Sequence, residues 1–459
     1  MENNSMIFIV FVIFLSDFLG YAKLCQEGEK SVKNEDSQIT RNAFSHQLTN
    51  INIWSCDGKW LIYDVRPHGS SFTGLTIERV NVETRQCEVL YRAGQGAHVG
   101  VATGSPVAPQ RYVFIHGPEN PDEHWRYDFH HRRGVVMRDD DRQQAATLDA
   151  CVLTAPYLAG ALRGGSHVHV FSPDGSRLSF TYNDHVLHER DPALDLRNVG
   201  VAVPLHPVDA PHRHPREHDG SHFCVLVSDT TPQPRPGSDD INRAYEEGWV
   251  GTAGYLRPDG RRQRWALAFI GDTLSACGEK VPEVFIVDLP ELLDDYARPG
   301  DRPLGGTDDR LPAPPAGVRQ RRLTFTADRP HPGVVNQPRH WLRSSPDGSQ
   351  IAFLMKDDRG VVQLWTVSPN GGAPRQVTQG DWPVQSAFNW HPDGGHLAFI
   401  GDNSVMLCEA ESGRLIRQTA RRETPPVGDA VVFSPDGDRI AYLRDIDGYN
   451  QIFVVTVMR

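Results

Sequence analysis

Apolar and polar positions along this chain fall into one recurring unit, a polar turn followed by an alternating strand. It reads SCDGKWLIYDV (residues 55–65), SPDGSRLSFTY (172–182), SPDGSQIAFLM (345–355), HPDGGHLAFIG (391–401) and SPDGDRIAYLR (434–444). In Pro-Asp-Gly, proline presets φ, aspartate bonds back to the backbone and glycine takes positive φ. The Leu/Ile-Ala-Phe alternation that follows predicts a half-buried strand. A second strand comes in phase at 361–367 and 451–457, and Gly371-Gly372 then turns the chain into 375–378. The last three turns begin 46 and 43 residues apart. That period, with about four strands per unit, predicts propeller blades. Longer gaps upstream hold degenerate turns near Ser105-Pro106 and His214-Pro215 and a strand over 266–270. Seven blades are expected, with eight as the alternative.

Two inserts interrupt the period, near 232–262 and 290–318. Within the first, SDDINRAYEEGW (238–249) reads as a short helix capped by Ser or Asp. The second is rich in Pro, Asp and Gly and reads as a surface excursion.

Composition agrees with an all-β fold. The 459 residues include 41 Gly and 34 Pro, enough turn formers to argue against a helical bundle. A net charge of −11 disfavours nucleic acid and anionic membrane as partners. A local Arg or metal cluster still allows an acidic ligand. Seven scattered cysteines without a CxxC pair predict reduced, structural thiols.

The first 36 residues differ from the rest. Three of the six lysines lie before residue 34, and the first arginine is Arg41. MIFIVFVIFL (6–15) is too short to span a bilayer but suits a signal-peptide core, with Gly20 and Ala22 framing a cleavage site. Glu2 and the lack of an early Lys or Arg do not fit a signal. The segment is therefore either a leader for secretion to the periplasm or beyond, or an appended start before a cytoplasmic domain. The propeller is expected over 38–459.

The SPDGxxIAF…LWxVxxxGGxPRQxT scheme resembles the TolB-like, WD40-like propeller repeat from Asn50 to Arg459. Along its length the chain looks most like a bacterial group of TolB-like proteins described as oligogalacturonate-lyase-like. The landmarks are QGAHVG (95–100), HGPENPDEHWRYDFHHRRG (116–134), LRGGSHVHVFSPDG (162–175) and NRAYEEGW (242–249). TolB-like propellers include a protein-binding module and, separately, oligogalacturonate lyase, which holds a divalent metal with histidines and a glutamine. The lyase motif is QxxHxH plus a distant His. Gln337 and His340 match QxxH, and Leu342 stands at the last ligand position. The resemblance thus implies Gln337, His340 and, from another blade, His167 as metal ligands, with His169 or His185 replacing the missing one. Mn²⁺ is the favoured ion.

The residues themselves offer related chemistry. Five positions before each turn stand Asn50, His167, His340, Ser386 and Asp429, a polar column expected to face one end of the channel. His167 and His169 form HxH, which places both on one side of a regular strand. A lyase acting on a uronate must neutralise its carboxylate, remove the adjacent proton and protonate the leaving oxygen. Arg163, Arg339 and Arg343 lie close to these histidines, and an Arg fork suits a carboxylate. Residues 127–133, YDFHHRR, supply His130, His131 and Arg132 to grip an anionic sugar. His98 and His116 are base candidates, and the catalytic set expected is His98, Arg163 and His169. Serine-nucleophile, Walker and dinucleotide motifs are missing. Two functions follow: a metal-assisted carbohydrate enzyme, foremost a β-eliminating lyase on short uronate oligosaccharides, or a non-catalytic propeller binding a protein or glycan.

Overall fold

The computed structural model describes residues 36–459. Seven four-stranded antiparallel sheets form the blades of a propeller, so the count is seven rather than eight. Blade 1 is His46–Gln47, Trp60–Val65, Thr76–Asn81 and Cys87–Arg92. Blade 2 is Val99–Gly104, Arg111–His116, Arg133–Arg138 and Asp141–Thr147, and blade 3 is Gly164–Phe171, Leu178–Asp184, Asn198–Val203 and Phe223–Leu226. Blade 4 is Ala244–Trp249, Ala266–Leu274, Lys280–Asp288 and Gln320–Arg322. Blade 5 runs from Arg343–Ser344 to Arg375–Gln376, and blade 6 from Asn389–Trp390 to Leu415–Arg417. Blade 7 takes Val427–Phe433, Arg439–Ile446 and Tyr449–Thr456 from the C-terminus and its outer strand, Ser37–Gln38, from the opposite end of the chain.

Serine and aspartate of the repeat build its turn. Ser172 Oγ donates to Asp174 (2.8 Å) and accepts from the Arg177 N–H (3.0 Å), while Asp174 accepts from the Ser176 N–H (3.0 Å). Gly175 sits at φ +71°, which only glycine adopts without strain. The strand that follows is buried more fully than a half-buried reading expects: all of Ile351–Met355 is inaccessible. Each blade is covered on both faces by its neighbours, so alternation distinguishes two interiors rather than core from solvent.

First strands lie against one another between blades 2 and 3, 4 and 5, 5 and 6, and 6 and 7, while the second strands of blades 1 and 3 pack on the first strands of blades 2 and 4. At the turn end of this channel, residues from all seven blades enclose a cavity of about 480 Å³ whose aromatic members include Trp54, Phe171, Trp249, Trp390 and Phe433.

The segment 238–249 is not a helix. Ala244–Trp249 is the first strand of blade 4 and is fully buried. Its carboxylates mimic a helix surface in sequence, but they belong to a strand facing the channel. The second insert carries a short 3₁₀ turn, Leu293–Ala297, and is tied to blade 3 where Arg163 Nη2 donates to the Arg310 carbonyl (3.0 Å). Asp36 pairs with Arg422 (3.2 Å) and Arg444 (3.1 Å). The apolar run 6–15 and its signal reading lie outside the described residues. Among the described residues no helix is long and apolar enough to cross a membrane, and Cys56, Cys87, Cys151, Cys224, Cys277 and Cys408 are free thiols.

Candidate functional site

The candidate residues gather at the channel end opposite the Pro-Asp-Gly turns, where first strands begin and second strands finish. Blade 2 sends out a long loop between His116 and Arg133, and blade 3 follows its second strand with the helix His185–Arg190. Asp184 caps that helix by accepting from the Leu187 N–H (2.8 Å). Arg163 is fully buried and holds Asp184 at 2.8 Å. It is a structural anchor for the helix rather than a free fork for substrate.

The HxH pair does not share a side. The register shifts between His167 and Val170, and Val168 takes φ +48°, so a bulge breaks the alternation. His167 Nδ1 accepts from Arg132 Nη1 (3.2 Å) and its Nε2–H donates to Asn183 (3.2 Å). His169 instead meets Ser166 Oγ (2.9 Å), and its Nδ1 is buried without a partner. Burial depresses the His167 pKa well below its ordinary value, with Arg197 and Arg132 adding to it; burial alone takes His169 to about 3. Both rings are neutral at pH 7.

His340 is held by both ring nitrogens. Nε2 accepts from the Leu354 N–H (3.2 Å) and Nδ1 donates to the Pro338 carbonyl (3.1 Å). Burial lowers its pKa to about 4. Gln337 is exposed, and Arg339 pairs with Glu246 (2.9 Å). His98 packs its ring near Tyr127 (6.3 Å), with Nδ1 buried and unpartnered. The expected ligands thus keep different company: His340 is tied into blade 5, His167 lies against a guanidinium, and His185 Nδ1 meets His131 Nε2 at 3.2 Å.

What the fold does bring together is the histidine-rich loop and the blade 3 helix. Arg132 donates to His167, His167 to Asn183, Asn183 to Asp195 (3.0 Å), and His130 Nε2 lies 2.7 Å from Asp195. This chain of five side chains links three residues named from sequence, Arg132, His167 and His130, through two that were not. The Arg132 guanidinium is itself boxed by Phe72 (4.3 Å), Phe129 (4.6 Å) and Tyr127 (5.1 Å). His131 stacks on Trp125 at 3.7 Å.

Beside this chain opens a pocket of about 380 Å³, lined by Phe129, Asn183, Asp195, Arg197, Arg243, Asp272 and Lys280, among others. Lys280 and Asp272 neutralise each other at 2.6 Å. Among the described residues Arg197 and Arg243 have no carboxylate partner; their guanidinium groups lie near the Phe129 (5.8 Å) and Tyr245 (4.5 Å) rings. Burial, with Arg243, Arg339 and Arg132 as like charges, lowers Arg197 to about 10 against the opposing pull of Glu246, so it stays charged. Neither arginine was singled out from sequence. Arg243 lies inside the NRAYEEGW landmark, which is the one signal that pointed to it.

This is a seven-bladed propeller of the oligogalacturonate-lyase shape, with a pocket lined by residues of blades 3 and 4 and of the blade 2 loop. A solved oligogalacturonate lyase in complex with manganese superposes with a TM-score of 0.57 at 11% identity, covering 94% of this chain and 95% of that one. An oligogalacturonate lyase from Vibrio parahaemolyticus gives 0.54 at 11% identity, covering 94% and 96%. Residues 98–218 match the family described as "Protein of unknown function (DUF3748)". Over 407 residues the chain is 60% identical to the Escherichia coli (strain K12) protein "Uncharacterized protein YidR", covering 89% of this chain and 94% of the relative. The chain belongs to the YidR family.

Proposed function

We propose that the protein is a carbohydrate-active propeller that takes a short uronate oligosaccharide in the Arg197–Arg243 pocket and cleaves it by β-elimination. The observation that carries this reading is a pair of arginines without acidic partners on the wall of a pocket of sugar-binding size. In a protein of net charge −11, such a pair favours a carboxylate ligand. The partly exposed Phe129 ring offers an apolar face for a pyranose beside it. The lyase shape supports the same substrate class.

Neutralising the uronate carboxylate acidifies the adjacent C–H. A base takes that proton, the C–O bond β to it breaks, a C=C bond forms in conjugation with the carboxylate, and the leaving oxygen takes a proton. In this reading Asp272 serves as the base and Lys280, its 2.6 Å ion-pair partner on the same wall, as the acid for the leaving oxygen. His98, Arg163 and His169 do not line it. An ion on Gln337, His340, His167 and His185 does not fit these residues: both nitrogens of His340 and of His167 are engaged, and His167 has Arg132 at 3.2 Å. No step is routed through it.

Incubation with oligogalacturonates and related uronate oligomers tests the reading. Ultraviolet absorbance of an unsaturated product is expected, and Arg197→Ala and Arg243→Ala should each suppress it. Calorimetric binding without absorbance would leave a uronate-binding propeller and remove the elimination. Neither signal across the panel would overturn both.

A further inference from the structure

We propose that His130, His188 and Asp195 hold one divalent transition-metal ion, a site distinct from the ligand set expected from sequence. One ring nitrogen of each histidine and a carboxylate oxygen of Asp195 lie within 4.8 Å of one another. His130 Nε2 is 2.7 Å and His188 Nδ1 4.0 Å from Asp195 Oδ2. Ligands on a tetrahedral ion at ~2.1 Å stand about 3.4 Å apart. The two observed separations bracket that value, and side-chain rotations that unstack the two rings bring the three ligand atoms onto one ion. The imidazole planes of His130 and His188 are stacked, with centroids 3.9 Å apart.

The surroundings are those of a built site. Asp195 is fixed through Oδ1 by the Asp184 N–H (2.7 Å) and through both oxygens by Asn183 Nδ2 (3.2 and 3.0 Å), which leaves a further lone pair of Oδ2 toward the histidines. On the far side of His130, Asp128 accepts from the His130 backbone N–H (2.7 Å) and stands 3.7 Å from Nδ1, close enough to favour the imidazole electrostatically but beyond hydrogen-bond reach. The three ligands come from two excursions: His130 from the blade 2 loop, His188 and Asp195 from the segment after the second strand of blade 3. An ion would staple the two together. Two imidazoles and one carboxylate suit Zn²⁺, Ni²⁺, Co²⁺ or Mn²⁺ rather than Ca²⁺ or Mg²⁺. The side chain of His188 is 37% exposed, so an ion can reach the three side chains from solvent. The proposal stands independently of what fills the neighbouring pocket.

The test uses the full chain, without an affinity tag, stripped with a chelator and titrated calorimetrically with Zn²⁺, Ni²⁺ and Mn²⁺ alone. One ion per chain is expected. His188→Ala and Asp195→Asn should each weaken binding at least tenfold, and Asp128→Asn by a smaller factor. His206→Ala, an exposed histidine elsewhere, should leave binding unchanged. Circular dichroism of the metal-free variants establishes that each is folded. Should Asp195→Asn not fold, His188→Ala on the helix surface decides alone. Absence of one-to-one binding, or equal affinity in His188→Ala and the parent, would overturn the proposal. Sugar binding is not part of the readout, so its failure elsewhere is a separate result.

Discussion

His340 and Ser386 do the same work in adjacent blades. His340 Nε2 accepts the N–H of Leu354 and Ser386 Oγ accepts that of Ile400 (2.7 Å), fourteen residues downstream in each case. The polar column before the turns is therefore partly architectural: in blades 5 and 6 it satisfies a second-strand amide. Removing His340 leaves that buried amide and the Pro338 carbonyl unpartnered.

His340→Ala should destabilise the fold by about 1–3 kcal/mol, the usual cost of a buried unsatisfied group. His340→Ser should recover part of it by copying Ser386. Urea denaturation measures both. A variant that loses bound metal at unchanged stability would instead mark His340 as a ligand.

Glu247 gives the fold a pH dependence. It is buried, accepts from Ser179 Oγ (3.2 Å) through one oxygen, and its other oxygen has no partner. Burial, with Glu246 adding to it, raises its pKa to about 7 from an ordinary 4.5. The folded state thus favours the protonated form. The penalty for ionising it is absent below about pH 4.5, grows as pH rises to about 7, and is constant above. The full gap corresponds to on the order of 3 kcal/mol. Glu247→Gln should match the parent near pH 4.5 and exceed its stability at pH 8.5 in urea denaturation.

Arg163 and Asp184 form a buried pair at 2.8 Å. Removing one partner strands the other charge, so Arg163→Ala should cost about 3–5 kcal/mol. Because Asp184 caps the helix carrying His185 and His188, the same change should loosen that helix. A lowered midpoint with faster amide exchange over 185–190 is the expected result. Unchanged stability with lost turnover would restore Arg163 as a substrate-facing group.

Arg197 and Arg243 should act additively on uronate binding if each contributes a charged hydrogen bond of about 1.5–3 kcal/mol. Each alanine variant should then weaken trigalacturonate at least tenfold by calorimetry. Affinity should fall between 50 and 500 mM salt, because the partly exposed guanidinium groups are screened. Salt-independent binding would assign the affinity to stacking on Phe129 instead.

The repeat was legible wherever Asp-Gly and the apolar strand after it kept their spacing, as in blades 1, 3, 5, 6 and 7, even where Cys56 replaces the proline or His391 the serine. Blade 4 was hidden because Glu246 and Glu247 put acidic residues on a first strand that borders the channel, where core periodicity does not apply. In the site, the patch of His130, His131 and Arg132 was readable as a dense run. The bulge at Val168 was not, since nothing in HVH announces a left-handed valine, and that bulge separates His167 from His169. Arg197 carries no motif and Arg243 only its place in NRAYEEGW; what sets the two apart is that neither has an acidic partner among the described residues, and partners are a property of the fold.

The outer strand of blade 7 comes from the start of the described chain, with Ser37 opposite Val454 and Gln38 opposite Phe453. Asp36 and Tyr442 are 406 residues apart in sequence yet 2.5 Å apart in space. The two ends of the ring are thus neighbours within one sheet, and the chain order is a matter of where the circle was cut. A permuted gene that joins Arg459 to Asp36 by a short linker and reopens at the exposed Gly371-Gly372 turn retains every strand pairing. Such a chain should fold to the same ring, with the cut moved to a hairpin that carries none of the side chains at the channel mouth.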